Sequence, residues 1–222
     1  SHARHALANE GAGNVRRRSS GHEDALRATL ELDSIVYERL ISEWAAMGCL
    51  EEAQRILREA NNTKANPVHL HAQYMRGLVY NQQISEALQQ LCCMREVAVK
   101  HQSTHFDNPS VAQPLLELTY LVVSKGIKQA EELLKQLDDS KIDKDGNTIF
   151  SPPSIVLPPD AILAIAECCA KSKNGDLARA LVVYRSRCTP CPRLSYGAYD
   201  ALLRALVQGQ QDGQAIDLFD EM

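Results

Sequence analysis

The stretch SYGAYDALLRALVQGQQDGQAIDLFDEM, residues 195–222, decides the fold of this chain. Leu202, Leu203, Leu206 and Val207 recur at the spacing of a helix that buries one stripe, and Ala215, Ile216, Leu218, Phe219 and Met222 do so again. A short polar turn containing Gly209 and Gly213 separates the two runs. The segment therefore reads as a hairpin of two amphipathic helices.

The same hairpin recurs upstream. Residues 35–60 place Tyr37, Leu40, Ile41 and Trp44 on a first helix, Gly48 in the turn, and Leu50, Ala53, Ile56 and Leu57 on a second. Glycine suits that turn because a helix C-cap often needs positive φ. Small residues that let the two helices of a hairpin cross closely are expected at Ala53, Ala87, Ala130, Ala180 and Ala215. The first step is 34 residues and the last 35, close to the period of two-helix repeats. The middle steps, 43 and 50, are longer and imply insertions near 100–109 and 138–159. Pro114 is expected within about the first turn of its helix, where a missing amide costs little. Gly175 is expected in the turn of the fourth hairpin.

The order Tyr-x-x-Leu-Leu-x-x-Leu, turn, Ala-Ile-x-Leu-Phe-x-x-Met in residues 195–222 resembles a pentatricopeptide repeat. The resemblance covers residues 34–222. It implies an all-α, right-handed α-solenoid of about five antiparallel helix-turn-helix repeats. In that family the first helices often bind single-stranded RNA, one base per repeat. Base choice rests on the fifth residue of each unit and a polar residue at its end. Those fifth positions are here Arg39, Gln73, Ala164 and Ala201, with Leu115 or Leu116 in the third unit; Val68 closes the first unit. Alanine and leucine cannot hydrogen-bond a base edge. Arg39 and Gln73 remain as RNA-contact candidates.

Residues 1–22 carry Arg4, Arg16, Arg17 and Arg18 against Glu10 alone, a formal +3. The whole chain is −4, so the remainder carries −7. A phosphate-clamping body is expected to be locally basic. The arm's Arg16, Arg17 and Arg18 join Arg39 and Gln73 as RNA-contact candidates. Residues 1–20 match either a transit-peptide remnant or a flexible basic arm. Ser20 and Glu23 have capping-box spacing, so residues 21–33 are expected to form an N-terminal capping helix.

Motifs with chemistry are sparse. Cys188-Thr-Pro-Cys191 has the spacing of a redox pair or half a zinc site, but lies between helices without a second pair. Cys92–Cys93 and Cys168–Cys169 read as small packing residues. Asp143-Lys-Asp145-Gly146-Asn147 starts like a calcium loop, yet the twelfth position is Ser154, so a polar turn is expected. His101 and His105 fall in an expected loop, and His69 and His71 flank a helix start. No phosphate loop or nucleophile motif is present. No catalytic residue, metal ligand or cofactor is expected.

Tyr37, Trp44, Tyr184 and Phe219 are expected in the core, with Tyr80 and Tyr120 more exposed. The expected function is a non-enzymatic binding scaffold in an organellar ribonucleoprotein, such as a mitochondrial ribosome. The alternative is an organellar single-stranded RNA-binding protein. The expected compartment is the mitochondrion, or alternatively the plastid. Partners are RNA, protein subunits or both, without a membrane span. Met222 ends on an apolar stripe, so that end is expected to be covered by further repeats or by a partner.

Overall fold

The computed structural model describes residues 34–63, 65–101, 108–138, 141–142, 148–149 and 153–222. The arm, the capping helix at 21–33, the Ser20–Glu23 box and the 143–147 loop lie outside these residues. The chain is all-α. Its helices are α1 (34–46), α2 (Leu50–Ala60), α3 (Pro67–Tyr80), α4 (Ile84–His101) and α5 (Pro109–Ser124). They continue with α6 (Ile127–Leu137), α7 (Pro159–Ser172), α8 (Gly175–Arg187), α9 (Tyr196–Gln208) and α10 (Asp212–Glu221). An antiparallel ribbon of two-residue strands, β1 (Lys141–Ile142) and β2 (Thr148–Ile149), sits in the longer insertion.

Local chemistry sets the helix ends. Asn66 and Asn108 accept from the backbone N–H groups of Val68 and Ser110, and Pro67 and Pro109 occupy the first helical positions. Asn174 and Ser195 cap α8 and α9 similarly, through Leu177 and Ala198. Gly48 (φ 80°) and Gly126 (φ 111°) make the turns before α2 and α6. Lys173 adopts the left-handed conformation before α8.

Odd-numbered helices pack on one another in sequence, α3 on α5, α5 on α7 and α7 on α9, while α4, α6 and α8 form a second layer behind them. Gly77 of α3 meets Ala45 of α1, where an added Cβ would lie 2.0 Å from the alanine Cβ. Apolar residues between the two layers form one continuous core.

One register ties the second layer together. The fourth residue of α2, α4, α6, α8 and α10 is an alanine, and all five are buried: Ala53, Ala87, Ala130, Ala178 and Ala215. The expectation at Ala180 is corrected, since Ala180 is exposed. The steps are therefore 48 residues from Ala130 to Ala178 and 37 from Ala178 to Ala215. Gly175 is likewise not in the turn but opens α8, where its Cα packs on Gly209; an added Cβ would lie 2.7 Å from the Gly209 Cα.

Three further expectations change. Pro114 is the sixth residue of α5, well past its first turn. Trp44 (36% exposed) and Phe219 (62%) are not core residues, because the outer faces of α1 and α10 have no neighbour among the described residues. His101 ends α4 instead of lying in a loop.

The longer insertion is pinned to the core by Tyr184. Its hydroxyl donates to the Ile155 carbonyl at 2.8 Å and accepts from the Leu157 N–H at 3.0 Å, while both Ile155 and Leu157 side chains are buried.

Candidate macromolecule-binding face

The row α1, α3, α5, α7, α9 carries three grooves on its surface. The first, about 550 Å³, is bordered by Ser42 and Ala46 of α1, Arg76 and Tyr80 of α3, and Glu117 of α5. The second, about 630 Å³, runs between α5 and α7. The third, about 350 Å³, lies between α7 and α9 beside Lys171 and Arg204.

The cations of this row have carboxylate partners. Arg76 grips Glu117 with two bonds, Nε to Oε2 at 2.8 Å and Nη2 to Oε1 at 2.9 Å, bridging α3 and α5. Gln113 adds a third bond to the same carboxylate. Lys171 pairs with Glu167 at 3.6 Å, and Arg204 with Asp200 at 2.7 Å. A guanidinium held in a two-pronged carboxylate grip must break it before it can take a phosphate. The exposed rings of this row include Tyr80 (74%) and Tyr120 (52%) on neighbouring helices and Tyr196 (80%) at the start of α9.

Arg39 is solvent-exposed and pairs with Glu43 of its own helix at 2.8 Å. Arg16, Arg17 and Arg18 lie outside the described residues. Gln73 is corrected: it is buried, and its amide Nε2 donates to the Ser110 carbonyl of α5 at 3.1 Å. That carbonyl is four residues before Pro114, which has no N–H to offer it. Gln73 thus replaces a helix hydrogen bond that proline removes. Among the remaining fifth positions, Ala201 and Leu115 are buried, and Ala164 lines the α5–α7 groove. Val68 is buried as well.

His69, His71, Cys169 and Cys188 are embedded in packing, whereas His101, Cys49 and Cys191 are exposed. His71 sits against Gln90, and burial lowers its pKa below the usual imidazole value. His69 lies 3.4 Å from the Glu38 carboxylate. Burial pushes the Cys169 thiol up to about 12 and Cys188 up to about 11. Cys191 is exposed, and the segment carrying it is held by buried Arg185, whose Nε donates to the Pro192 carbonyl at 3.0 Å. Arg185 also binds the Glu221 carboxylate, which accepts from the Tyr199 hydroxyl at 3.1 Å. That arrangement ties the end of α10 to α8 and α9. Among the described residues, no group of three or more His, Cys, Asp or Glu side chains is placed to hold a metal ion. No described helix is long and apolar enough to cross a membrane.

Sequence reasoning missed the Arg76–Glu117 bridge and the Gln73–Ser110 bond, because their partners are 41 and 37 residues apart. Compared with known proteins, the chain matches no protein-family model and no curated protein.

Proposed function

We propose that this chain is a non-enzymatic, pentatricopeptide-like right-handed α-solenoid of about five helical hairpins that holds proteins together within an organellar ribonucleoprotein, such as a mitochondrial ribosome. The observation that carries this reading is the self-neutralised face: Arg76, Lys171 and Arg204 are each matched by a carboxylate. RNA affinity comes largely from cations that exchange counterions for phosphate; Arg76 is committed to Glu117 by two bonds, and Lys171 and Arg204 each stand beside a carboxylate of their own helix that opposes a phosphate. Buried fifth positions Gln73 and Ala201 support the same reading, since neither reaches a base. The exposed Ile216 and Phe219 of α10 fit cover by a partner.

A second reading, organellar single-stranded RNA binding, draws on Tyr80 and Tyr120. Two exposed rings on adjacent helices offer stacking surfaces that tolerate any base. In that case Arg16, Arg17, Arg18 and Arg39 supply the charge.

Isolation of the native complex separates the two. The scaffold reading expects a fixed set of protein subunits at constant stoichiometry that survives nuclease treatment. Recovery of one transcript, with proteins lost on nuclease treatment, overturns it.

A further inference from the structure

The sequence holds three closely spaced cysteine pairs, and one of them is placed to bridge. Cys92 and Cys93 are adjacent on α4, and Cys168 and Cys169 on α7. A helix turns neighbouring side chains about 100° apart, so neither of those pairs can bond without breaking its helix. Cys188 and Cys191 instead bracket the bend that leaves α8. Cys188 caps that helix with extended backbone (φ −70°, ψ 142°) and is 3% exposed, its Sγ donating to the Tyr184 carbonyl at 3.4 Å. Cys191 is exposed, and both thiols are free.

Arg185 folds the bend back on α8. Its Nε donates to the Pro192 carbonyl at 3.0 Å, and the Cys191 Sγ lies 3.9 Å from the same oxygen, so thiol and guanidinium share one acceptor. Burial is the main cause of the raised Cys188 pKa, and the charge of Cys191 adds to it, which sets the two thiols within each other's field. The far end of the guanidinium holds Glu221, and Tyr199 donates to the same carboxylate. We propose that Cys188 and Cys191 form a redox dithiol, a modification site for low-molecular-weight disulfides of the glutathione type, whose closure loosens the Arg185 clamp on the end of α10. This role is independent of which macromolecule the chain binds.

Access sets the order of events. Cys191, as thiolate, attacks one sulfur of R–S–S–R; that bond breaks, Cys191–S–S–R forms, and RS⁻ leaves and takes up a proton. Cys188 then gives its proton to solvent and attacks the Cys191 sulfur, expelling the second RS⁻. Two protein thiols are oxidised to one disulfide, and one reagent disulfide is reduced to two RSH. Burial raises the Cys188 pKa to about 11, so its thiolate is scarce and the mixed disulfide on Cys191 is caught at early times. Closure draws the Cys191 Sγ across to Cys188 and removes the hydrogen given to the Tyr184 carbonyl. It also pulls the adjoining Pro192 carbonyl off the Arg185 Nε, which leaves the guanidinium less firmly held where it grips Glu221.

The test equilibrates the full chain with stepped ratios of glutathione disulfide to glutathione and maps the products by mass spectrometry. The expected product is a Cys188–Cys191 disulfide, at equilibrium at least about tenfold more populated than the mixed disulfide on Cys191, because its second step is intramolecular. Cys49, the other exposed cysteine, keeps its glutathione adduct. Cys188→Ser leaves the adduct standing on Cys191. Cys191→Ser, which alters an exposed side chain and keeps the fold, removes both products at this bend. Amide exchange at residues 217–221 rises at least about threefold on oxidation of the unsubstituted chain and is unchanged in oxidised Cys191→Ser. An equilibrium Cys191 adduct as abundant in the unsubstituted chain as in Cys188→Ser, or no product at Cys191 under ratios that modify Cys49, overturns the dithiol. A disulfide that leaves exchange at 217–221 unchanged overturns its coupling to α10.

Discussion

Substituting Gln73 by leucine is expected to destabilise the protein through a carbonyl on another helix. Pro114, six residues into α5, leaves the Ser110 carbonyl without its helical donor, and Gln73 Nε2 supplies one from α3 at 3.1 Å. Leucine keeps the approximate volume and removes the donor. A buried acceptor left unpaired costs about 1–3 kcal/mol; Ser110 is half-buried, so the lower part of that range applies, about 1–2 kcal/mol. For a chain of this size each kcal/mol shifts the melting temperature by about 2–4 °C, giving a fall of about 2–8 °C. Urea denaturation gives the free energies, and a double-mutant cycle with Pro114→Ala isolates the cause. Alanine at 114 restores a backbone N–H, so Gln73→Leu then costs less, by about 1 kcal/mol. An equal cost of Gln73→Leu in both backgrounds, or no cost in either, refutes the reasoning.

Other consequences follow from the same packing. Gly77→Ala places a methyl 2.0 Å from Ala45 and should cost about 1–3 kcal/mol as α1 and α3 move apart. Gly213→Ala, with nothing within 4 Å, should stabilise by about 0.4–1 kcal/mol; urea midpoints check both. Tyr184→Phe leaves the Leu157 N–H and the Ile155 carbonyl unpaired, each worth about 1–3 kcal/mol, and should raise amide exchange across residues 154–157 more than Tyr199→Phe does. Burial lowers the pKa of His71, so the unfolded chain binds a proton more readily than the folded one. The stabilising contribution of neutral His71 is present above the ordinary histidine pKa of 6.5 and is lost as pH falls through the lower folded value. Denaturation midpoints should therefore decline below about pH 6.5, and that part of the slope should vanish in His71→Gln.

Much of the helical framework is legible in the sequence because its signals are local. Ala53, Ala87, Ala130 and Ala215 stand out from the apolar periodicity of single helices, and each is buried. Ala180 misleads because the turn before α8 uses a left-handed Lys173 and an Asn174 cap, which shifts the buried alanine to Ala178. Trp44 and Phe219 lie on genuine apolar stripes, but periodicity does not report whether another helix covers them. The functional face is less legible. Lost polar fifth positions and an acidic body pointed away from base reading. The neutralising contact itself, Arg76 to Glu117, joins two helices and leaves no trace in either one alone. Gln73 had one available clue: Pro114 within an apolar helix implies an orphaned carbonyl that some side chain must satisfy.

The salt dependence of RNA binding tests the scaffold account most directly. Full chain and the variant carrying Arg16→Ala, Arg17→Ala and Arg18→Ala would be titrated with single-stranded RNA over a salt series. If the helical face is neutralised, the full chain binds weakly without sequence preference. Its log–log slope should be shallow, about −2 for three arm contacts at about −0.7 each, and binding should vanish in the triple variant. Tight, sequence-selective binding that survives the triple substitution with a steep slope would contradict the account.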